Sequence, residues 1–370
     1  MASRILIFST SYFPLVGGAE IAVKEITDRL PEIEFDLITA KQKPDLASVE
    51  KIGNVTVYRL GFGHILLDKL LIPYLGAMKT LKLQRNRKYD AYWCIMVTFA
   101  SGAAYIANWF QKRIPIILTL QEGDSDDWLR HRWMGLIDLS WRLALARTHI
   151  LTAISTYLQK RAKRLGYKNR SELIPNGVDV EKFQNVQSHP RDRGKTVLIT
   201  TSRLVEKNAV GDIIEALKFL PESVGLKILG DGPLEPELKL QAKSSRLEAR
   251  IEFLGHVPYE EIPKHLHQAD IFVRPSLSEG FGNSFIEAMA AGLPVIASPV
   301  GGITDFLVDG ETGLMVEPKS PRLIAFQVQK LINDSVLRDQ ITINAKRMVE
   351  AKYDWNLVAE EMKKKVFNTV

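Results

Sequence analysis

Short runs rich in β-branched and aromatic residues recur along the chain, and stretches with helical periodicity lie between them. Residues 4–9, 35–40, 55–60, 92–97, 116–120 and 150–153 read as strands, and 19–30 and 65–83 as helices. Alternation of this kind builds parallel sheets with helices on both faces. The series ends at 173–174 in a Pro175-Asn176-Gly177 turn. Residues 184–195 are polar, with Pro190 and Gly194, and read as a linker. A second series then runs through 197–201, 226–229, 251–253, 271–274 and 295–297. Helices follow at about 321–351 and 356–367, with a break at Tyr353-Asp354-Trp355. A chain of 370 residues exceeds one comfortable core. The expectation is two doubly wound, Rossmann-like α/β domains, 1–187 and 188–352. Such sheets bind ligands at the carboxyl ends of their strands.

Composition narrows the setting. Cys94 is the only cysteine, which excludes an internal disulfide and a thiolate metal cluster and fits a reducing compartment. Residues 1–4 lead straight into a strand-like run with no long apolar h-region, and no apolar stretch reaches membrane-spanning length. The expected location is therefore cytoplasmic. Residues 1–185 hold 26 Lys and Arg against 18 Asp and Glu, a net +8; the remainder holds 23 against 25. Two readings stand: a solvated basic face, or an anionic partner surface. Residues 64–88 divide in the same way. They carry Ile65, Leu66, Leu67, Leu70, Leu71, Ile72, Tyr74, Leu75 and Met78, then Lys79, Lys82, Arg85, Arg87 and Lys88. The favoured reading is the inner face of an α/β helix; the alternative is peripheral contact with an anionic membrane on its inner face. No nucleic-acid-binding signature accompanies the charge, so nucleic acid is not an expected partner.

The stretch EGFGNSFIEAMAAGLPV, residues 279–295, concentrates the chemistry. Glu279 and Glu287 flank a Gly-containing turn, and an Ala-rich helix ends at Gly292 and Pro294. The amides of Phe281, Gly282, Asn283 and Ser284 would open that helix, where free N–H groups and the macrodipole attract phosphate. Glu287, one turn in, suits both hydroxyls of a ribose, and Glu279 suits hydroxyls of a group on the far phosphate. Gly17-Gly18, between the first strand and first helix, permits an anion over a helix N-terminus or an ordinary turn. Arg203 follows the first strand of the second series and offers diphosphate oxygens a fork of donors. Gly230-Asp231-Gly232-Pro233 lacks the third glycine of a dinucleotide fingerprint, which excludes that motif.

The 279–295 run resembles the signature of retaining family 4 glycosyltransferases, which have the GT-B fold, and the resemblance extends along nearly the whole chain. It implies that residues 353–370 cross back to the first domain. It implies transfer of a sugar from a nucleotide diphosphate sugar to a hydroxyl of a glycan or lipid-linked glycan. By resemblance, Glu279 orients the sugar, Glu287 holds the ribose, and the Val257 backbone meets the base. Gly17 and Gly18 lie near the donor phosphates and the acceptor. Gly301-Gly302 resembles a loop near the cleft, or is an ordinary turn. Two departures stand out. The family's phosphate-binding lysine falls at Asn208 and its glycine at Ala209, with Lys207 one position early; a one-residue shift of the loop would bring Lys207 in. Gln121 stands where the family carries a histidine that touches the donor sugar. Beyond it, Glu122, Asp124, Asp126 and Asp127 read as a solvated loop or an acceptor contact. No metal or other cofactor is expected, since Arg203 and Lys207 offer the cations. Alternatives are a nucleotide-sugar-binding protein without turnover and a nucleotide-sugar epimerase on the same fold.

Overall fold

A computed structural model of the chain describes residues 3–110, 114–123, 136–186 and 194–370. The chain divides into two compact units, Met1–Asn176 with Trp355–Val370, and Gly177–Asp354.

The first unit holds strands β1 Arg4–Phe8, β2 Glu34–Ala40, β3 Val49–Ile52, β4 Val55–Leu60, β5 Ala91–Ile95, β6 Ile116–Leu120, β7 Ile150–Ala153 and β8 Ser171–Leu173. They form one sheet in the order β3-β4-β2-β1-β5-β6-β7-β8. All pairs are parallel except β3 with β4, a hairpin whose first strand, β3, is absent from the strand series of the sequence. Buried on both faces, β1 and β5 are almost wholly apolar, as central parallel strands are. The helix Trp355–Lys365 and the turn after it return to this unit. Trp355, Val358, Met362 and Phe367 join one core with Phe35, Trp93 and Val23.

The second unit holds β9 Thr196–Thr201, β10 Val224–Leu229, β11 Ile251–Gly255, β12 Ile271–Arg274, β13 Val295–Ala297 and β14 Leu314–Met315. The order is β11-β10-β9-β12-β13-β14 and every pair is parallel. Strand order reverses between β9 and β12, so the crevice outside their carboxyl ends is where this topology receives a ligand. Leu198, Ile213, Leu226, Ile228, Val273 and Ile324 form the core between sheet and helices.

The first unit boundary lies at Asn176/Gly177 and not at 187. Val180–Gln184 is a helix of the second unit: Phe183 is buried, and its carbonyl accepts from the His267 ring at 2.8 Å. Tyr353 also belongs there, packed on Phe281 and Phe306. The two crossing segments pair where the chain leaves and returns, with the Val178 N–H donating to the Tyr353 carbonyl at 2.7 Å. Much of the 184–195 linker reading, residues 187–193, lies outside the described residues.

The expected inner face of residues 64–88 is corrected. The helix Ile65–Asn86 buries Asp68, Ile72, Gly76, Ala77 and Thr80. Its large apolar side chains, Ile72 apart, are exposed or half-buried. Among the described residues no helix is long and apolar enough to cross a membrane.

Candidate functional site

In the second unit, β12 ends in Arg274, a charge inside an otherwise apolar strand and only 6% exposed. Five partners explain how it is tolerated there. The guanidinium donates to the Thr201 carbonyl at the end of β9 (3.3 Å), to Ser276 Oγ (3.1 Å) and to Ser284 Oγ (2.5 Å). It is ion-paired with the Glu279 carboxylate, and it lies over the Phe285 ring, 4.5 Å from the centroid. A buried cation needs such a set, since each missing partner leaves desolvated charge uncompensated. Arg274 therefore ties the end of β9, the 275–279 loop and the first turn of the helix Asn283–Ala290 into one cluster.

Glu287 lies on that helix and is buried. Burial pushes its carboxyl up to about 7, against the opposing pull of Arg274, a hydrogen bond from Tyr259 and the charge of Lys182. Lys182 Nζ sits 4.7 Å from the Tyr259 ring centroid. Thus Glu279 and Glu287 both address Arg274, one by direct contact and one through its field.

The helix opens later than the sequence suggests. Asn283 is its first residue and Gly282, at φ +94°, is the N-cap; no side chain caps it. Phe281 stands outside the opening. Its ring is buried against Phe306 and Tyr353, so it anchors the loop from below. Ser284 contributes its hydroxyl to Arg274. The Gly301-Gly302 turn is more than a connector. The Gly302 N–H donates to the Glu279 carbonyl at 3.1 Å, and a Cβ at Gly301 would stand 1.9 Å from that oxygen. Glycine is required for this approach, which sets the height of the Glu279 backbone.

Arg203 is exposed just past β9. Its loop rests on the 230–232 turn through the Leu204 N–H and the Asp231 carbonyl, 2.7 Å. Asn208, at the aligned lysine position, is buried and donates its amide to the Arg203 carbonyl at 2.6 Å. Its side chain is therefore turned into the loop. Lys207, half-buried, has its carbonyl bonded by the Leu277 N–H at 2.7 Å, which joins the loops following β9 and β12. Val257, half-buried, follows β11 on the same edge of the sheet.

In the first unit, Gly17 caps the helix Gly18–Asp28. Its N–H donates to Glu20 Oε2 at 2.8 Å, so the chain's own carboxylate already sits at this N-terminus. Burial pushes the Glu20 carboxyl above its ordinary value, while that amide pulls it down. Gln121 follows β6, and its side-chain carbonyl accepts from Asn176 at 3.3 Å. Glu122 turns back into the sheet, accepting from the Val97 N–H at 2.6 Å and from the Gln121 N–H at 3.0 Å. Of the acidic loop, Glu122 is thus a local cap for the ends of β5 and β6. Asp124, Asp126 and Asp127 lie outside the described residues. Among the described residues, no three His, Cys, Asp or Glu side chains gather as a metal-ion site.

Arg274, Tyr259 and Lys182 escaped the sequence reading. Arg274 left a signal, a lone charge ending an apolar strand. Tyr259 and Lys182 left none, because only the fold brings them to Glu287.

Comparison with known proteins agrees with this architecture. The model for Glycosyltransferase Family 4 matches residues 16–182, and that for Glycosyl transferases group 1 matches residues 181–348. Glycogen synthase of Mycobacterium tuberculosis is 31% identical over 390 residues, covering 96% of this chain and 92% of the relative. Sucrose-phosphate synthase from Thermosynechococcus elongatus superposes with a TM-score of 0.88 at 20% identity, over 100% of both chains. Anabaena Alr3699/HepE in complex with UDP-glucose gives 0.80 at 20% identity, over 99% of this chain and 100% of that one. The fold is of the GT-B class. The chain belongs to the family 4, group 1 glycosyltransferases and is a glycosyltransferase.

Proposed function

We propose that this glycosyltransferase uses a nucleoside diphosphate sugar as donor and passes the sugar to a hydroxyl of a glycan or lipid-linked glycan with retention of configuration. The observation that carries the reading is the grouping of Glu279 and Glu287 about Arg274 at the strand-order switch. Glu287 accepts the ribose hydroxyls. Two donated hydrogen bonds favour the carboxylate over the acid, so binding draws off the proton that burial retains. Glu279, held by Arg274, accepts hydroxyls of the transferred sugar. Arg203 and Lys207 neutralise the diphosphate, with the amides of Asn283 and Ser284 aimed at the same oxygens. The bound UDP-glucose of HepE supports a uridine donor as the first to try.

In the reaction the bond between the anomeric carbon and the diphosphate oxygen breaks. The acceptor oxygen bonds to that carbon on the same face, and its proton passes to the departing phosphate. The protein's part is electrostatic: cations and amides that meet the charge as it develops. No dedicated base is assigned, because the departing phosphate takes the proton, and no metal is assigned, because Arg203 and Lys207 supply the positive charge.

The test has two stages. Thermal shift against UDP-, GDP- and ADP-sugars should reveal one nucleotide that raises Tm, by about 2.7 kcal/mol of stabilisation at a hundredfold excess over Kd. That donor should then be slowly hydrolysed by the wild type and not by Glu279→Gln, with a rate unchanged by a chelator. No shift with any nucleotide refutes the donor site. Tight binding without turnover for any acceptor favours a binding protein. Activity abolished by chelator and restored by manganese refutes the metal-free assignment.

A further inference from the structure

The helix Ile65–Asn86 is built inside out. At four-residue spacing Asp68, Ile72, Gly76 and Thr80 face inward and are buried. The opposite stripe, Leu66, Leu70, Tyr74 and Met78, is 57–69% exposed, and Phe62 and Ile65 at its start are 73% and 53% exposed. The inward face is small because the neighbouring helix, Phe99–Phe110, lies close: a Cβ at Gly76 would stand 2.7 Å from the Ala103 Cβ. Its first turn is also fixed. Burial disfavours charge on Asp68, yet N–H bonds from Phe62, Gly63, Gln42 and His64 hold its carboxyl below the ordinary value. That anchor holds the apolar stripe outward.

Charge is graded along the axis as well as around it. After Met78 the exposed positions through residue 88 are Lys82, Arg85, Asn86 and, just past the helix, Lys88, three of the four basic. Lys79 is turned aside over the Tyr58 ring, 4.2 Å from its centroid. At 22 residues the helix is about 33 Å long, and no described helix is apolar enough to cross a bilayer. Contiguous exposed apolar surface of this kind marks an interaction site. An occupant must accept an apolar stripe and cations together. A second copy of the chain would bring another surface from a half that carries net +8, 26 basic against 18 acidic residues in 1–185. An anionic bilayer complements both features.

We infer that the helix Ile65–Asn86 is an interfacial segment that lies in the plane of an anionic membrane. Leu66, Leu70, Tyr74 and Met78 enter the acyl boundary, and Lys82, Arg85 and Lys88 meet headgroup phosphates. The inference does not depend on the donor site.

Co-sedimentation of the full chain with phosphatidylcholine vesicles, with and without phosphatidylglycerol, tests it. The wild type should bind the anionic vesicles at least about tenfold more tightly, and salt should weaken that binding. Leu66→Ser/Leu70→Ser/Tyr74→Ser should lose about tenfold or more. Lys82→Glu/Arg85→Glu/Lys88→Glu should remove the salt-sensitive part. All six positions are exposed, so an unchanged Tm and an unchanged nucleotide-induced shift verify that the variants are folded. No binding of the wild type to anionic vesicles overturns the inference, as does a triple-serine variant that binds equally well. So does a wild-type dimer, seen by light scattering, that the serine variant splits without any vesicle binding. Vesicle binding without any nucleotide shift would refute the donor assignment and leave this inference intact.

Discussion

Arg274 and Glu287 pose opposite electrostatic problems within one cluster. Arg274 is a buried cation whose partners are all present, so its removal strands Glu279 and the Thr201 carbonyl. Arg274→Ala should lower unfolding stability by about 3–5 kcal/mol, read by urea denaturation. Arg274→Lys keeps the charge without the fork, and should fall between the two. Glu287 is a buried acid that is undercompensated, with its pKa raised from an ordinary 4.5 to about 7. The native state therefore holds a proton that the unfolded chain has lost between those values. Stability must fall as pH rises through that window, and the full penalty stands above pH 7. Glu287→Gln removes the titration. At pH 8 the variant should be more stable than wild type by up to about 3 kcal/mol, with the difference vanishing near pH 4. Its nucleotide affinity should drop by about tenfold or more, because the amide cannot accept from both hydroxyls with charge. A variant less stable at pH 8, with an unchanged pH profile, would show that burial does not hold the acid neutral.

Loops between elements fix which side chains of the 203–208 segment are committed to the protein itself. Asn208 is committed to the Arg203 carbonyl, whereas the Lys207 carbonyl ties the loop to Leu277. Lys207→Ala should weaken donor binding several-fold with little change in Tm. Asn208→Ala should lose about 1 kcal/mol of stability, since it removes one of the two hydrogen bonds on the Arg203 carbonyl and leaves the one from the Val205 N–H. A silent Lys207→Ala would end the phosphate role given to that side chain. The same loops show what a sequence records. Strand ends and the run 279–295 were legible because periodicity, glycines and a carboxylate pair are local signals. The commitment of Asn208 was not, because hydrogen-bond partners depend on how the loop closes. The two-residue strand β14 was also too short to register. The helix Ile65–Asn86 was misjudged for another reason. Apolar content says that side chains gain by leaving water, not what covers them. Only the buried Asp68 and Gly76, at the spacing of the inward face, reveal which side meets the protein.

At the scale of the whole molecule, the return of Trp355–Val370 makes the first unit depend on residues that follow the entire second unit in the chain. Trp355, Met362 and Phe367 are each at most 2% exposed. The Phe367 ring meets Trp93 at 5.2 Å and Phe35 at 5.9 Å. On the surface the helix is fastened by Lys363 to Glu32 at 2.6 Å and by Arg29 to Asn356 at 3.1 Å. The exposed ion pair contributes little, so the aromatic core holds the crossing. Phe367→Ala should destabilise the first unit by about 3–5 kcal/mol, through lost burial and the cavity left behind. The second unit's core includes none of these residues. Heating the variant with and without the nucleotide that binds should therefore separate two transitions: an early one that the nucleotide leaves in place, and a later one that it raises. Lys363→Ala, which removes only the surface pair, should leave both near their wild-type temperatures. A single transition in Phe367→Ala that nucleotide raises as a whole would mean that the two units unfold as one, with the C-terminal helix stabilising both.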